Sequence, residues 1–113
     1  MTAALVEDVF VGLADPTRRR ILDTLAARGG GTATTLAAEL PVSRQAVVKH
    51  LTVLDRAGLV AGRRAGREVR YLVCPEKLTA TARWMAGLAA QWDGRLQTIK
   101  RLAESIEEAE PKK

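Results

Sequence analysis

The last third of the chain carries an apolar recurrence that leaves few folds open. Leu78, Met85, Trp92, Ile99 and Ile106 follow one another at steps of seven. Ala82, Ala89, Leu96 and Ala103 stand four residues after the first four of them. Two interleaved apolar positions in a seven-residue repeat describe a long helix with a continuous seam, of the kind that pairs with another helix. The spacing predicts this helix over about 76–109, with Glu110-Pro111-Lys112-Lys113 as a frayed tail. The whole chain has 113 residues, the length of one domain. A domain this short is marginal in the surface it can bury, and pairing two chains is a common remedy. With 47% hydrophobic but only 4% aromatic residues, aliphatic side chains have to fill the core.

Upstream, turn and cap residues cut the chain into short pieces. Leu5, Val9 and Leu13 recur at four-residue spacing, with Val6 and Phe10 beside them, and predict a short first helix. Ala14-Asp15-Pro16 interrupts it. Asp15 is a good N-cap and Pro16 suits the first helical position, where a missing N–H costs nothing. The second helix turns Ile21, Leu22 and Leu25 inward and ends at Gly29-Gly30-Gly31. Thr32 or Thr34 can cap a third helix carrying Leu36, Ala37 and Leu40. Pro41-Val42 forces a turn, and Ser43 caps a fourth helix with Val47, Leu51 and Leu54 inward, stopped by Gly58. Val60 to Arg64 and Glu68 to Val73 then form a hairpin around Ala65-Gly66-Arg67. The predicted fold is mainly α with a small β-hairpin, in the order α-α-α-α-β-β-α. The helix-turn-helix falls at about 33–57 and the wing at about 60–73, within a single domain over 1–113. A short helix, a tight turn, a second helix with a basic outer face and a basic hairpin together form a winged helix-turn-helix.

The formal charge of +5 is clustered. Between Ser43 and Arg70 stand seven basic residues (Arg44, Lys49, Arg56, Arg63, Arg64, Arg67, Arg70) against two acidic ones (Asp55, Glu68), a net +5, so the rest of the chain sums to zero. Charge gathered on the predicted recognition helix and wing points to a polyanionic partner. Cys74 is the only cysteine, so no intrachain disulfide forms and a reducing cytoplasm is the expected compartment. Acidic residues interrupt the apolar run of Met1–Asp8, which lacks the basic start of a secretory signal, and no stretch is long enough to span a membrane.

Several segments together resemble the ArsR/SmtB family of bacterial winged-helix repressors. They are Ala14-Asp15-Pro16-Thr17-Arg18-Arg19-Arg20-Ile21-Leu22, Thr35-Leu36-Ala37, Ser43-Arg44-Gln45-Ala46-Val47-Val48-Lys49-His50-Leu51-Thr52-Val53-Leu54, Ala57-Gly58-Leu59-Val60 and Gly66-Arg67-Glu68-Val69-Arg70-Tyr71. The resemblance covers about residues 5–106, and the order of the segments is what makes it specific. It implies a homodimer built from the first and last helices, placing Leu5, Val9, Leu78, Met85, Trp92, Leu96 and Ile99 at the interface. It also implies operator binding relieved by a signal. Many members sense metals through a Cys-x-Cys pair in the third helix or through acidic and His ligands in the last. Here the third-helix region Leu36–Val42 has no cysteine and the last helix no histidine. With one Cys and one His in the chain, the expectation is no metal and no cofactor. Pro41 stands where helix-turn-helix turns often have Gly, and Val48 where the family often has Ser.

In such a fold the fourth helix lies in the major groove of double-stranded DNA. Ser43, Arg44, Gln45, Val48 and Lys49 avoid the Val47-Leu51-Leu54 stripe and face outward. Arg44 can bind guanine and Gln45 adenine in bidentate fashion, Val48 fits a thymine methyl, and Lys49 and Thr52 suit phosphates. Arg64, Arg67 and Arg70 of the wing can reach the backbone or minor groove. Two-fold pairing predicts an imperfect palindrome as operator. Other residues have plainer readings: His50 packed and hydrogen-bonded, Cys74 a small strand-end residue, Trp92 part of the seam, Arg18-Arg19-Arg20 a solvated charge run rather than a phosphate site. No nucleophile and base are brought together by spacing, so no enzyme is expected. The rival readings are a winged-helix docking module and a metal or thiol sensor of the same fold. An effector, small molecule or protein, is left open.

Overall fold

The computed structural model describes residues 3–109 and falls into two compact units, one ending at Thr81 and the other beginning at Ala82. The tail Glu110–Lys113 lies outside the described residues, as do Met1 and Thr2. The elements are α1 (Ala3–Leu13), α2 (Pro16–Arg28), β1 (Gly31–Thr32), α3 (Ala33–Glu39), α4 (Arg44–Arg56), β2 (Val60–Ala65), β3 (Glu68–Val73) and α5 (Glu76–Ala109).

Local chemistry sets most of these boundaries. Asp15 has extended φ/ψ and its Oδ1 accepts from the N–H of Thr17 at 2.7 Å and of Arg18 at 3.4 Å, satisfying first-turn donors that have no partner inside a helix. Of the two threonines that could cap α3, the structure uses Thr32. Its Oγ1 accepts from the N–H of Thr35, while Thr35 Oγ1 accepts from the N–H of Thr32, a reciprocal capping box. Ser43 caps α4 by accepting from the N–H of Ala46 at 3.1 Å. The far end of α4 closes in a Schellman motif. Gly58 takes φ +75°, and the N–H groups of Gly58 and Leu59 donate to the carbonyls of Asp55 and Leu54.

The end of α1 is closed differently. Arg18 Nη2 donates to Val11 O at 2.7 Å and Nε to Gly12 O at 2.9 Å, while Arg19 Nη1 donates to Leu13 O at 2.6 Å. Cations at the negative end of a helix, hydrogen-bonded to its last carbonyls, are favourable on both counts. The expected solvated charge run is therefore corrected for two of its three arginines: the loop after α1 brings their guanidinium groups back onto the backbone.

The first unit is built around Val9, Ile21, Leu22, Leu25, Leu36, Val47, Leu51, Leu54, Leu59 and Val60, all buried. Tyr71, Val73 and Leu78 pack against this core. The hairpin differs in detail from expectation. Ala65 pairs with Glu68, so the loop is the two residues Gly66-Arg67, with Gly66 at φ +64°. A third strand, β1, adds to β3 with Gly31 opposite Tyr71 and Thr32 opposite Arg70, giving an antiparallel sheet of order β1-β3-β2. Gly62 lies opposite Tyr71, and a Cβ there would come within 2.7 Å of Val69 Cγ1 and 3.0 Å of the Tyr71 ring. The missing side chain lets the aromatic ring lie over β2.

In α5, Thr81 is buried and donates its hydroxyl to Lys77 O at 2.7 Å. From Ala82 onward every described residue is exposed. Arg95 stacks over the Trp92 ring at 5.3 Å from its centroid. Among the described residues, no helix is long and apolar enough to cross a membrane.

Candidate nucleic-acid interface

Helix α4 sorts its side chains cleanly. Val47, Leu51 and Leu54 are fully buried, whereas Ser43, Arg44, Gln45, Val48, Lys49 and Thr52 are exposed. A helical period of 3.6 produces this division, since positions 47, 51 and 54 fall on one stripe and 44, 45, 48, 49 and 52 avoid it. An exposed valine flanked by Arg44 and Lys49 gives α4 an outer face that is basic with one apolar point.

A cleft between this face and the wing is lined by Arg44, Val48, Arg67, Glu68, Val69 and Tyr71, with Ala33 at its base. Two hydrogen bonds tie its walls together. Arg44 Nε donates to Thr34 Oγ1 at 3.2 Å, and Thr34 Oγ1 donates to Glu68 Oε1 at 2.6 Å. These contacts join α4, α3 and β3. The sequence offers Thr34 only as an alternative cap for α3 and Glu68 only as a charge, because residues 34 apart meet only once the hairpin has folded back.

The wing residues are not equivalent. Arg64 lies opposite Val69, and opposed residues of an antiparallel pair project to the same face, so it shares the face of Val69 and Tyr71. Arg67 stands at the tip and lines the cleft. Arg70, though exposed, donates from Nη2 to Gly29 O at 2.9 Å, which ties it to the end of α2. Arg63, counted in the basic cluster but assigned no contact from sequence, lies directly opposite Arg70. Like charges at opposed positions destabilise a hairpin. Their juxtaposition on an exposed wing suits an anion that would relieve it.

The hydrogen bonds qualify Thr52, expected at a phosphate, and Ser43, expected to face outward. Thr52 Oγ1 donates to Val48 O at 3.0 Å, so its proton is already committed to the backbone. Ser43 Oγ is an acceptor for the cap, which leaves its hydroxyl proton to donate. His50 is half-buried, with Nδ1 3.4 Å from Arg18 Nη1, the packed and hydrogen-bonded role expected of it. Cys74 is partly buried at the strand end, and its N–H donates to Leu59 O. Among the described residues, no three His, Cys, Asp or Glu side chains gather as metal ligands.

Of the residues expected between two chains, Val9 is fully buried in its own chain's core. It has no surface left to offer a partner, although Leu5, one turn earlier on the same face, is at the surface. Leu78 is half-buried against the core. Met85, Trp92, Leu96 and Ile99 are 51–61% exposed.

Asp15 caps α2 beside Arg18. Partial burial tends to raise its pKa, but the N–H groups of Thr17 and Arg18, with smaller contributions from the nearby His50 ring and the Arg18 guanidinium, outweigh it and hold the carboxyl below its ordinary value. His50 belongs to α4, so the start of α2 is electrostatically linked to the basic helix.

Comparison with known proteins agrees with this geometry. A family model described as a helix-turn-helix domain matches residues 13–63. The transcriptional repressor SdpR of Bacillus subtilis (strain 168) is 32% identical over 92 residues, covering 80% of this chain and all of that protein. The HTH-type transcriptional regulator Rv2034 of Mycobacterium tuberculosis (strain ATCC 25618 / H37Rv) is 48% identical over 68 residues, 60% of this chain and 63% of the relative. Among solved structures, an ArsR-like transcriptional regulator from Rhodococcus sp. RHA1 superposes with a TM-score of 0.80 at 45% identity, covering 88% of this chain and 93% of that one. With the basic helix, the wing and the order of elements all in place, the chain belongs to the ArsR family of winged-helix, DNA-binding transcriptional regulators.

Proposed function

We propose that the chain is a homodimeric repressor that binds an imperfect palindrome in its own or a neighbouring promoter and blocks polymerase there. The observation that carries the reading is the division of α4: Val47, Leu51 and Leu54 inside, Arg44, Gln45, Val48 and Lys49 outside. In a major groove, Arg44 reads guanine, Gln45 adenine and Val48 a thymine methyl. Ser43, Lys49, Arg64 and Arg67 meet phosphates and set the register. The wing thus positions while α4 specifies. The exposed seam of Met85, Trp92, Leu96 and Ile99 is the surface for a second copy, with the module spanning the helix-turn-helix, the wing and the dimerisation helix. That the Bacillus relative is named a repressor supports repression over activation. No catalytic step and no cofactor enter this reading, and its setting is the cytoplasm, where Cys74 stays reduced.

The test is a titration of labelled DNA from the gene's own upstream region, and of a scrambled control, at several salt concentrations. Preference for the native fragment with a steep salt dependence is expected, since each phosphate neutralised releases counterions. Equal binding to both fragments would move the operator elsewhere in the genome. No binding at low salt would overturn the repressor reading in favour of a docking module.

A further inference from the structure

We propose that Thr34 and Glu68 form a relay that presets the guanidinium of Arg44, so that the wing helps determine which base the recognition helix selects. The inference deepens the reading of Arg44 as a base-contacting residue and rests on it. Thr34 Oγ1 lies 2.6 Å from Glu68 Oε1 and 3.2 Å from Arg44 Nε. A carboxylate only accepts, so the threonine proton points to Glu68, and the lone pairs of the hydroxyl are then turned toward Arg44. The first of these bonds has the short length of a charge-assisted O–H···O⁻ contact. Arg44 gives the relay its Nε–H, leaving the two terminal nitrogens, a flat fork matched to O6 and N7 of guanine.

Two features make this more than a surface contact. Arginine has large rotamer freedom, and fixing it before DNA arrives removes an ordering cost from the specific complex. Glu68 is also the only acid among the residues lining the cleft, beside Arg44 and Arg67. A carboxylate there opposes binding to any DNA, so its presence beside Arg44 favours discrimination over bare affinity. Thr34 and Glu68 are accordingly positioning residues that act through Arg44.

The experiment uses the full chain and labelled duplexes carrying the site it enriches from random DNA, together with the same duplexes bearing A·T in place of each G·C pair in turn. Arg44→Ala should abolish the preference at one G·C pair per half-site. Thr34→Val should reduce the preference at that same pair about two- to tenfold, the cost of ordering one flexible side chain at an interface. Thr34→Ser, which keeps the hydroxyl, should retain it. Glu68→Ala should weaken the same preference while tightening binding to scrambled DNA, an opposition that a merely structural role would not produce. Neither loss should appear in an Arg44→Ala background. Unchanged discrimination in both Thr34→Val and Glu68→Ala overturns the relay alone, as does an equal loss when Arg44 is already alanine. If Arg44→Ala leaves every base preference intact, the base-reading role of Arg44 fails and the relay falls with it.

Discussion

Arg18 directs Nε and Nη2 of its guanidinium at two backbone carbonyls of α1, and Nη1 lies 3.4 Å from His50 Nδ1 on α4. One side chain thereby closes a helix end and touches the basic helix. Arg18→Met keeps the stem and removes the donors, leaving Gly12 O without its guanidinium partner and Val11 O with only the N–H of Ala14. The expected loss is about 1–3 kcal/mol of unfolding free energy, the range for hydrogen bonds with a charged partner, read by urea denaturation. DNA affinity of the folded fraction should hold, whereas a phosphate-binding arginine would lose it. At Asp15 the sign of the pH effect follows from the lowered pKa. The folded state binds its proton less readily than the unfolded state, so the stabilisation is complete above the ordinary aspartate value of about 3.9 and fades as pH falls through the lower folded value. Thermal melts between neutral and strongly acidic pH should show Asp15→Asn losing less stability on acidification than the native chain. An identical acid profile would count against the carboxylate's role.

Elements differ in how openly the sequence declares them, and the difference is physical. Helices α2 and α4 were legible because Asp15-Pro16 and Ser43 act on donors two or three residues away. The buried stripe of α4 and its exposed face were legible from one helical period. The strand β1 was not: two residues, Gly31 and Thr32, hold no alternation, and their pairing depends on β3 some forty positions on. The arginines after α1 and the Arg44–Thr34–Glu68 contacts were hidden for the same reason, as their partners become neighbours only through folding. Caps and core stripes should also be separable by experiment. Ser43→Ala removes one cap acceptor and should lower stability by about 1 kcal/mol. Leu51→Ala empties part of a fully buried site on the same helix and should cost about 2–5 kcal/mol. Chemical denaturation of both variants would expose an error if the order were reversed, since α4 would then be held more by its end than by its packing.

For the molecule as a whole, the arithmetic of apolar surface turns on the last helix. Met85, Leu96 and Ile99 lie more than half exposed in one chain, on a stripe that repeats every seven residues. Such residues gain little in water, and burying the apolar surface they still expose against another helix favours pairing. In the proposed two-fold pair, two copies of α4 would be tied to one another, and the second half-site contact would become intramolecular. Leu96→Glu with Ile99→Glu places charges in the seam, at residues outside the first unit. Sedimentation should shift from dimer to monomer while the melting of the first unit is retained. Affinity for a full palindrome should fall by about a hundredfold or more, the scale of avidity lost when two sites no longer bind as one, while affinity for a single half-site stays close to that of the native chain. A variant that stays dimeric would place the interface on another surface. A variant that becomes monomeric yet binds the palindrome undiminished would detach recognition from pairing altogether, and the two-fold operator would lose its structural reason.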